Sequence, residues 1–250
     1  TCALPISGND LPDFNPDEEY LQELKSPIYY AVQKDIDIRT GGPTLIDFDM
    51  QRISQRINII LNIRTEGDIK KEDLLPPIIE LSGACGHFNI SEACLDTTRL
   101  YRMVHQAQPD EFTQTGENTY RCVVHFHTLG VIPSAAKGHL NGPGILQVAL
   151  QVSANRLDAS GAPVLDQDGK PVKNSRYIYG AINPYDELTA AQLIEVRDGK
   201  TYLRYSKDDV NIEITSPLVI KADQIVSDDT GMGWQPNDPT NPDDDIIIEI

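Results

Sequence analysis

Basic and aromatic residues are both scarce in this chain. Its 250 residues include 38 Asp and Glu but only 21 Lys and Arg, which gives a formal net charge of −17 at pH 7. A field of that sign repels phosphate groups, so binding to nucleic acid or to an anionic membrane surface is disfavoured. Aromatic residues make up 6%, and Trp234 is the single tryptophan. A broad aromatic platform for sugars is therefore not expected.

Long apolar runs are missing as well. No segment of the sequence approaches the roughly 18 to 20 consecutive apolar residues of a membrane-spanning helix. The first residues, from Thr1 onward, form neither a basic nor an apolar leader. No signal peptide is recognisable here, and an exported protein would have lost its signal already.

Cysteines are few, and none forms a Cys-x-x-Cys pair. The four are Cys2, Cys85, Cys94 and Cys122, which gives neither a zinc ribbon nor a thioredoxin-type motif. Cys85 and Cys94 stand nine positions apart across a predicted turn and can form a disulfide in an oxidising compartment. The alternative is that both are small buried hydrophobes, a common environment for free cysteine.

Known catalytic and cofactor motifs are also missing. The sequence has no Gly-x-Ser-x-Gly, Gly-x-Gly-x-x-Gly, P-loop or His-Glu-x-x-His pattern, so we expect neither catalysis nor a cofactor. His125 and His127 are two apart on a predicted strand, where two imidazoles can face one metal ion. A third ligand would have to come from His87, His105 or His139. Two histidines on a solvent-facing strand are the commoner case, and no functional transition metal is expected.

Strand patterns dominate what is present. Residues 57–63 and 120–129 alternate apolar and polar side chains, and residues 77–83, 145–152, 210–214 and 218–220 are further strands. These short strands, separated by Gly, Pro, Asn and Asp, predict an all-β, antiparallel β-sandwich with one or two short helices. The predicted core residues are Ile57, Ile59, Leu61, Val124, Phe126, Leu146, Val148 and Leu150.

Helices, turns and a domain division are predicted from local signals. Asn15, Pro16 and the acidic residues after them start a helix that runs to about Lys25, and residues 186–196 are the other helix candidate. The clusters 158–161 and 166–169 indicate a long hairpin; the second also resembles the opening of a calcium loop but lacks its later ligands. Gly41-Gly42-Pro43 divides an N-terminal segment, 1–43, from a sandwich domain, 44–250.

From about residue 28 onward the chain resembles the fimbrillin-type surface proteins of Bacteroidales, particularly their fimbrial anchor and tip-like members. The most specific element is Leu81-Ser82-Gly83-Ala84. The other elements are Tyr29-Tyr30-Ala31, Met50 leading into the strand 57–63, Leu129-Gly130, the strand 142–148 and the loop that carries Trp234.

The resemblance implies a transthyretin-like β-sandwich in a secreted, commonly lipid-anchored protein of the outer membrane or of a fimbria. It further implies a non-catalytic subunit that joins other fimbrial subunits by strand exchange and binds a host or bacterial surface ligand. Direct membrane insertion is not expected, apart from a lipid anchor upstream. Cys2 follows Thr1 rather than an apolar segment, so we do not assign it as that anchor.

The final residues form a strongly apolar strand in the prediction. Ile246, Ile248 and Ile250 project to one face, and Ile247 and Glu249 to the other. Such a strand must pair with a sheet, since its exposed edge would otherwise promote aggregation. It either completes this subunit's own sandwich or adds to a neighbour's open edge as a donor strand.

Two other functions compete with the fimbrial one. The first is a surface carbohydrate-binding lipoprotein module, supported by the close spacing of Tyr177, Tyr179 and Tyr185. The second is a hydrolase on a β-sandwich, disfavoured because no catalytic motif is present.

Overall fold

The structure, a computed structural model, describes residues 5–6, 20–38, 40–156, 158, 160–204 and 209–221. The side chains of residues 5, 6, 174, 176, 215 and 216 are not described. This part of the chain contains fourteen strands and one α-helix. In chain order the elements are β1 (Pro5–Ile6), β2 (Tyr20–Leu21), β3 (Tyr29–Tyr30), β4 (Gln51–Arg52), β5 (Gln55–Glu66), β6 (Ile78–Asn89), β7 (Cys94–Gln106), β8 (Phe112–Gly116), β9 (Thr119–Thr128), β10 (Leu146–Asn155), β11 (Lys173–Ile182), α1 (Tyr185–Ala191), β12 (Ile194–Arg197), β13 (Lys200–Leu203) and β14 (Val210–Lys221).

Two larger sheets are built from these strands. One has the order β14-β5-β9-β8. The other has the order β1-β2-β7-β6-β10-β11, and the hairpin β12–β13 joins it through β7. A third, two-stranded sheet pairs β3 with β4. The all-β prediction is therefore confirmed, and α1 is one of the short helices that it allowed.

The core lies between the two larger sheets. Because side chains alternate across a strand, β5 turns Ile57, Ile59, Leu61 and Ile63 to one face, and all four are at most 1% exposed. β9 is paired with β5 in the same sheet and in antiparallel register, with Phe126 opposite Ile57. Every predicted core residue is buried in this cluster: Ile57, Ile59, Leu61, Val124, Phe126, Leu146, Val148 and Leu150.

Two strand pairs are parallel, which the antiparallel prediction did not include. β14 runs parallel to β5, from Val210 opposite Ile57 to Lys221 opposite Glu66. It unites the two strands predicted at 210–214 and 218–220, with an irregular register between Ile214 and Leu218. β2 also runs parallel to β7.

The helix predicted to run to Lys25 is wrong at its described end, where residues 20–21 form β2. Tyr20 is 1% exposed, and its hydroxyl donates a 3.2 Å hydrogen bond to Glu80. This tertiary pairing outweighs the local helix signal, whose first residues, 15–19, lie outside the described part. The second helix is shorter than predicted, because residues 194–196 belong to β12 rather than to α1.

Leu81-Ser82-Gly83-Ala84 forms an irregular point in β6 where another segment crosses closely. Gly83 has φ +84°, and a Cβ atom there would lie 2.7 Å from the amide nitrogen of Gly144. The Ser82 hydroxyl donates to the Gly142 carbonyl at 2.7 Å and accepts from the Ile145 amide at 3.0 Å. The element therefore has a structural role that explains its small residues.

Of the two alternatives for Cys85 and Cys94, the structure has the buried free thiols and not the disulfide. In the β6–β7 register Cys94 lies opposite Asn89, four residues along β6 from Cys85, which is roughly 13 Å at the rise of a strand. A disulfide requires Cα atoms within about 7 Å of each other. The two cysteines are small buried hydrophobes, and burial raises the pKa of Cys85 to about 12.

The helices of the described part are short: none has the length and apolar character needed to cross a membrane. The division at residue 43 stays a prediction. Residues on both sides of it contribute to the main core, since Leu21 packs in the same cluster as Ile57.

Candidate functional site: an exposed arm and its root

Residues 29–52 form an arm that leaves the body of the protein and returns to it. At its base Tyr29 pairs with Arg52 and Tyr30 with Gln51 in antiparallel register. Beyond this base, all described residues from 32 to 50 are exposed, and none belongs to a strand. The turn at Thr40–Gly41 lies near the middle of the segment. Gly41 and Gly42 therefore lie at the tip of the arm.

Large apolar side chains are concentrated on the arm. Single exposed hydrophobic residues are normal on a protein surface, but a continuous exposed group marks an interaction site. Leu45 is 88% exposed and Ile38 is 75% exposed. The remaining exposed apolar side chains of the arm are Tyr29, Val32, Ile36, Ile46, Phe48 and Met50.

The arm also carries acidic residues in alternation with apolar ones. Asp35 and Asp37 flank Ile36, and Asp47 and Asp49 flank Phe48. In an extended chain successive side chains point to opposite faces. Once extended, the second leg has Ile46, Phe48 and Met50 on one face and Asp47 and Asp49, with Leu45, on the other, which is close to the pattern of a strand that covers a core on one side.

The root of the arm is fastened to β9 through His127. The imidazole Nδ1–H donates to the Leu24 carbonyl at 2.7 Å, and Nε2 accepts from the Ser54 hydroxyl at 2.9 Å. Ser54 Oγ in turn accepts from the Ile28 amide at 3.0 Å. Both chain segments that lead into the arm are thus held by one side chain.

With the imidazole neutral, Nδ1–H donates to Leu24 and Nε2 accepts from the Ser54 hydroxyl. Burial lowers the pKa of His127 below its usual value, and Arg52 and Arg56 lower it further, whereas the bond to Leu24 and the charge of Glu23 act in the opposite direction. Protonation of the ring would reverse the donor in the His127–Ser54 hydrogen bond and would place a charge in a position that burial, Arg52 and Arg56 disfavour.

Ser54 and His127 also have the spacing of a nucleophile and its general base. Ser54 is only 2% exposed, however, and its oxygen is occupied by the Ile28 amide. The group that orients the imidazole is a backbone carbonyl, from Leu24. In this geometry no substrate atom reaches the Ser54 hydroxyl. The Ser54–His127 pair instead fastens the chain segments that lead into the arm to β9, and we call this pair the clasp.

Tyr30 provides a second attachment. Its hydroxyl donates to the Ile90 carbonyl at 2.7 Å, and its ring packs edge-on against Phe88 at 5.4 Å between centroids. Tyr30 lies against a separate apolar cluster formed by Ile53, Cys85, Leu95, Leu129 and Leu203. The base of the arm is therefore fixed while its outer part stays in water.

His125 and His127, which were considered as a metal pair, have different partners. His125 lies 3.5 Å from Glu111, whose other oxygen is 2.8 Å from His105, whereas both ring nitrogens of His127 are taken up at the arm root. Across the described residues, no group of three His, Cys, Asp or Glu side chains could hold a metal ion. The cluster around Glu111 instead ties β7 to β9, and its hydrogen bonds hold the pKa of Glu111 below the usual value despite partial burial.

The calcium-loop resemblance at 166–169 has a simpler explanation. Asp166 Oδ1 accepts the amide hydrogens of Asp168 at 2.9 Å and Lys170 at 2.8 Å, so its carboxylate closes a turn within the predicted β10–β11 hairpin.

The predicted terminal strand, Ile246, Ile247, Ile248, Glu249 and Ile250, lies outside the described residues, as does Trp234.

Ser54 and the role of His127 at the root could not be identified from the sequence, because their contacts join segments far apart in the chain. The alternation of apolar and acidic residues in the arm is a signal that the sequence does contain, since it needs only neighbouring positions.

The chain matches no family model and no curated protein. Among solved structures it is similar to the crystal structure of a candidate adhesin from Bacteroides ovatus, with a TM-score of 0.39 and 7% sequence identity. The similarity covers 81% of this chain and 59% of the other, so the chain spans about three fifths of that protein's length.

Proposed function

We propose that this protein is a non-catalytic, adhesin-like subunit of a cell-surface fimbria, and that it joins a neighbouring subunit through the arm at residues 29–52. The observation that carries the proposal is the exposure of the arm's apolar side chains on a base that is firmly attached. The fimbrial and outer-membrane setting is supported by the resemblance in the sequence, and the strongly acidic surface suits a protein exposed outside the cell.

The arm fits strand addition better than it fits side-chain docking alone. An extended chain offers unpaired amide and carbonyl groups, which a neighbour's open sheet edge can satisfy. Alternation then puts the apolar residues toward the neighbour's core and the aspartates toward water. This alternation makes the arm a candidate donor beside the predicted terminal strand, residues 246–250.

The experiment removes the arm without disturbing its base. Replacing residues 31–50 by Asn-Gly joins Tyr30 to Gln51, which are already paired, through a two-residue hairpin turn. We expect the shortened protein to fold with unchanged thermal stability and to remain outside the high-molecular-weight fimbrial fraction of the cells that produce it. Normal incorporation of the shortened protein into fimbriae would overturn the proposal.

A matched pair of substituted variants separates the arm from general surface hydrophobicity. In one variant Ile38, Leu45 and Phe48 of the arm are changed to Ser. In the control, Leu75, Leu165 and Val196, which are 51%, 57% and 68% exposed elsewhere, are changed to Ser. Only the arm variant should lose incorporation, because only its residues belong to the assembling segment. Equal losses in both would contradict a specific role for the arm.

A further inference from the structure

The outer face of β11 carries two aromatic rings side by side. Tyr177 and Tyr179 are two residues apart on this strand, and their rings are 6.1 Å apart between centroids with 28° between planes. Both side chains are partly exposed. β11 is the last strand of its sheet in the described part, so the two rings form a small aromatic surface beside an open sheet edge. Tyr185, the third tyrosine of the predicted group, starts α1, which packs against β14 instead.

The neighbouring strand surrounds the rings with small and amide side chains. In the β10–β11 register Tyr177 lies opposite Gln151 and Tyr179 opposite Ala149. Gln147 lies two residues before Ala149 on β10, and both glutamines are partly exposed. Ala149 is short and 4% exposed, and the two glutamine amides flank it along β10, which leaves a surface of small and amide side chains beside the rings. Ser153 and Ser175, joined by a 2.6 Å hydrogen bond between their hydroxyls, bound it on one side.

We propose that this face is a binding site for a neutral, β-linked oligosaccharide. The C–H face of a pyranose ring packs on an aromatic ring, whose amphipathic character suits a half-wet surface. Side-chain amides offer donors and acceptors together, as sugar hydroxyls require. An aromatic surface with a few placed polar groups is the usual composition of a small-ligand site.

The charge of the protein selects the kind of sugar. The tyrosines, the glutamines, Ala149 and the two serines are all uncharged, and the chain as a whole carries −17. A field of that sign disfavours uronic and sulfated sugars. A flat strand face also suits an extended β-linked chain better than a compact branched one.

The site is independent of the arm. β10 pairs with residues 78–81 at the start of β6. Tyr30, in the base of the arm, contacts Phe88 and Ile90 at the other end of β6. Seven residues separate Leu81 from Phe88, which is roughly 23 Å along a strand. Loss of the arm should leave sugar binding intact.

The test is titration calorimetry of the full chain with cellohexaose, xylohexaose and mannohexaose as separate probes, and with polygalacturonate as the anionic comparison. Tyr177→Ala and Tyr179→Ala should each weaken binding of the preferred hexasaccharide by at least about tenfold, as truncation of a central contact residue does. Tyr177→Phe should keep most of the affinity, because the ring remains. Tyr202→Ala, which removes a partly exposed tyrosine from β13, is the matched control and should bind like the unchanged protein.

The results of these titrations either support or overturn the proposed sugar site. Binding of a neutral hexasaccharide that both alanine variants lose and Tyr202→Ala retains supports the site, provided that circular dichroism shows all variants folded. No binding of any neutral hexasaccharide at millimolar concentration overturns it. Undiminished binding by the Tyr177→Ala/Tyr179→Ala double variant, or tighter binding of polygalacturonate, overturns it as well.

Discussion

Ser54 and His127 lie 73 residues apart in the chain and are joined by a hydrogen bond of 2.9 Å between Oγ and Nε2. Through this bond, and through the Leu24 carbonyl on the other ring nitrogen, one histidine of β9 holds both segments that lead into the exposed arm. Because its base is part of the folded structure, the arm leaves the body of the protein at a fixed place.

Replacing Ser54 by Ala should destabilise the protein by about 1 to 3 kcal/mol. The change leaves the Ile28 amide without its acceptor and His127 Nε2 without its donor, and unsatisfied buried polar groups carry costs of that size. Urea unfolding measures the free energy. Ser160→Ala, at an exposed hydroxyl in the turn held by Asp158, is the control and should cost less. Equal costs for the two changes would contradict the clasp.

Stability should also fall with pH as His127 begins to titrate in the unfolded chain. Because burial lowers the pKa of His127 in the folded protein, the unfolded chain binds this proton first as the pH falls below about 6.5. The contribution of His127 is therefore complete above that pH and is lost progressively down to its folded-state pKa.

The matched variant for this effect is His127→Gln, whose amide can donate to Leu24 and accept from Ser54 without titrating. Urea unfolding at a series of pH values from 7.5 to 5 should show that the unchanged protein loses more stability than His127→Gln. Two curves that stay parallel over this range would show that His127 does not have the lowered pKa.

Gly83→Ala should be much more harmful than Gly161→Ala. The two glycines have nearly the same backbone angle, with φ +84° and +82°, but a Cβ at Gly83 would meet backbone atoms at 2.7 Å, whereas nothing lies within 4 Å at Gly161. The strain of a left-handed residue is common to both, so the difference measures the close crossing over β6. We expect that difference to be about 1 to 3 kcal/mol, measured by thermal unfolding. No difference would mean that the crossing segment moves away at little cost.

The core could be predicted from the sequence because it depends on alternation within single strands. Ile57 to Ile63 on β5 and Val124 to Phe126 on β9 keep that alternation over several residues, so their buried faces follow directly. The parallel direction of β14 could not be predicted, since the same alternation suits either orientation. Tyr20 was assigned to a helix because the signals at Asn15 and Pro16 are local, whereas its bond to Glu80 is not.

The candidate site was only partly predictable for the same reason. His125 and His127 share a face of β9, as their spacing indicates, but one lies beside Glu111 and the other beside Ser54. Which partner each meets depends on the packing of β7 and of the arm root. The sequence analysis placed only the Gly41-Gly42-Pro43 division in this segment, because alternation alone does not show whether a partner covers the apolar face.

The most direct measurement of the proposed assembly is hydrogen exchange of the arm's backbone amides in the isolated subunit and in intact fimbriae. In the isolated subunit the amides of residues 32–38 and 44–50 should exchange rapidly, whereas those of β5 and β9 should be protected. In fimbriae, strand addition predicts strong protection along one leg of the arm, with amides that pair with the neighbour's edge protected most. Fimbriae in which the whole arm still exchanges as fast as in the isolated subunit would contradict the account.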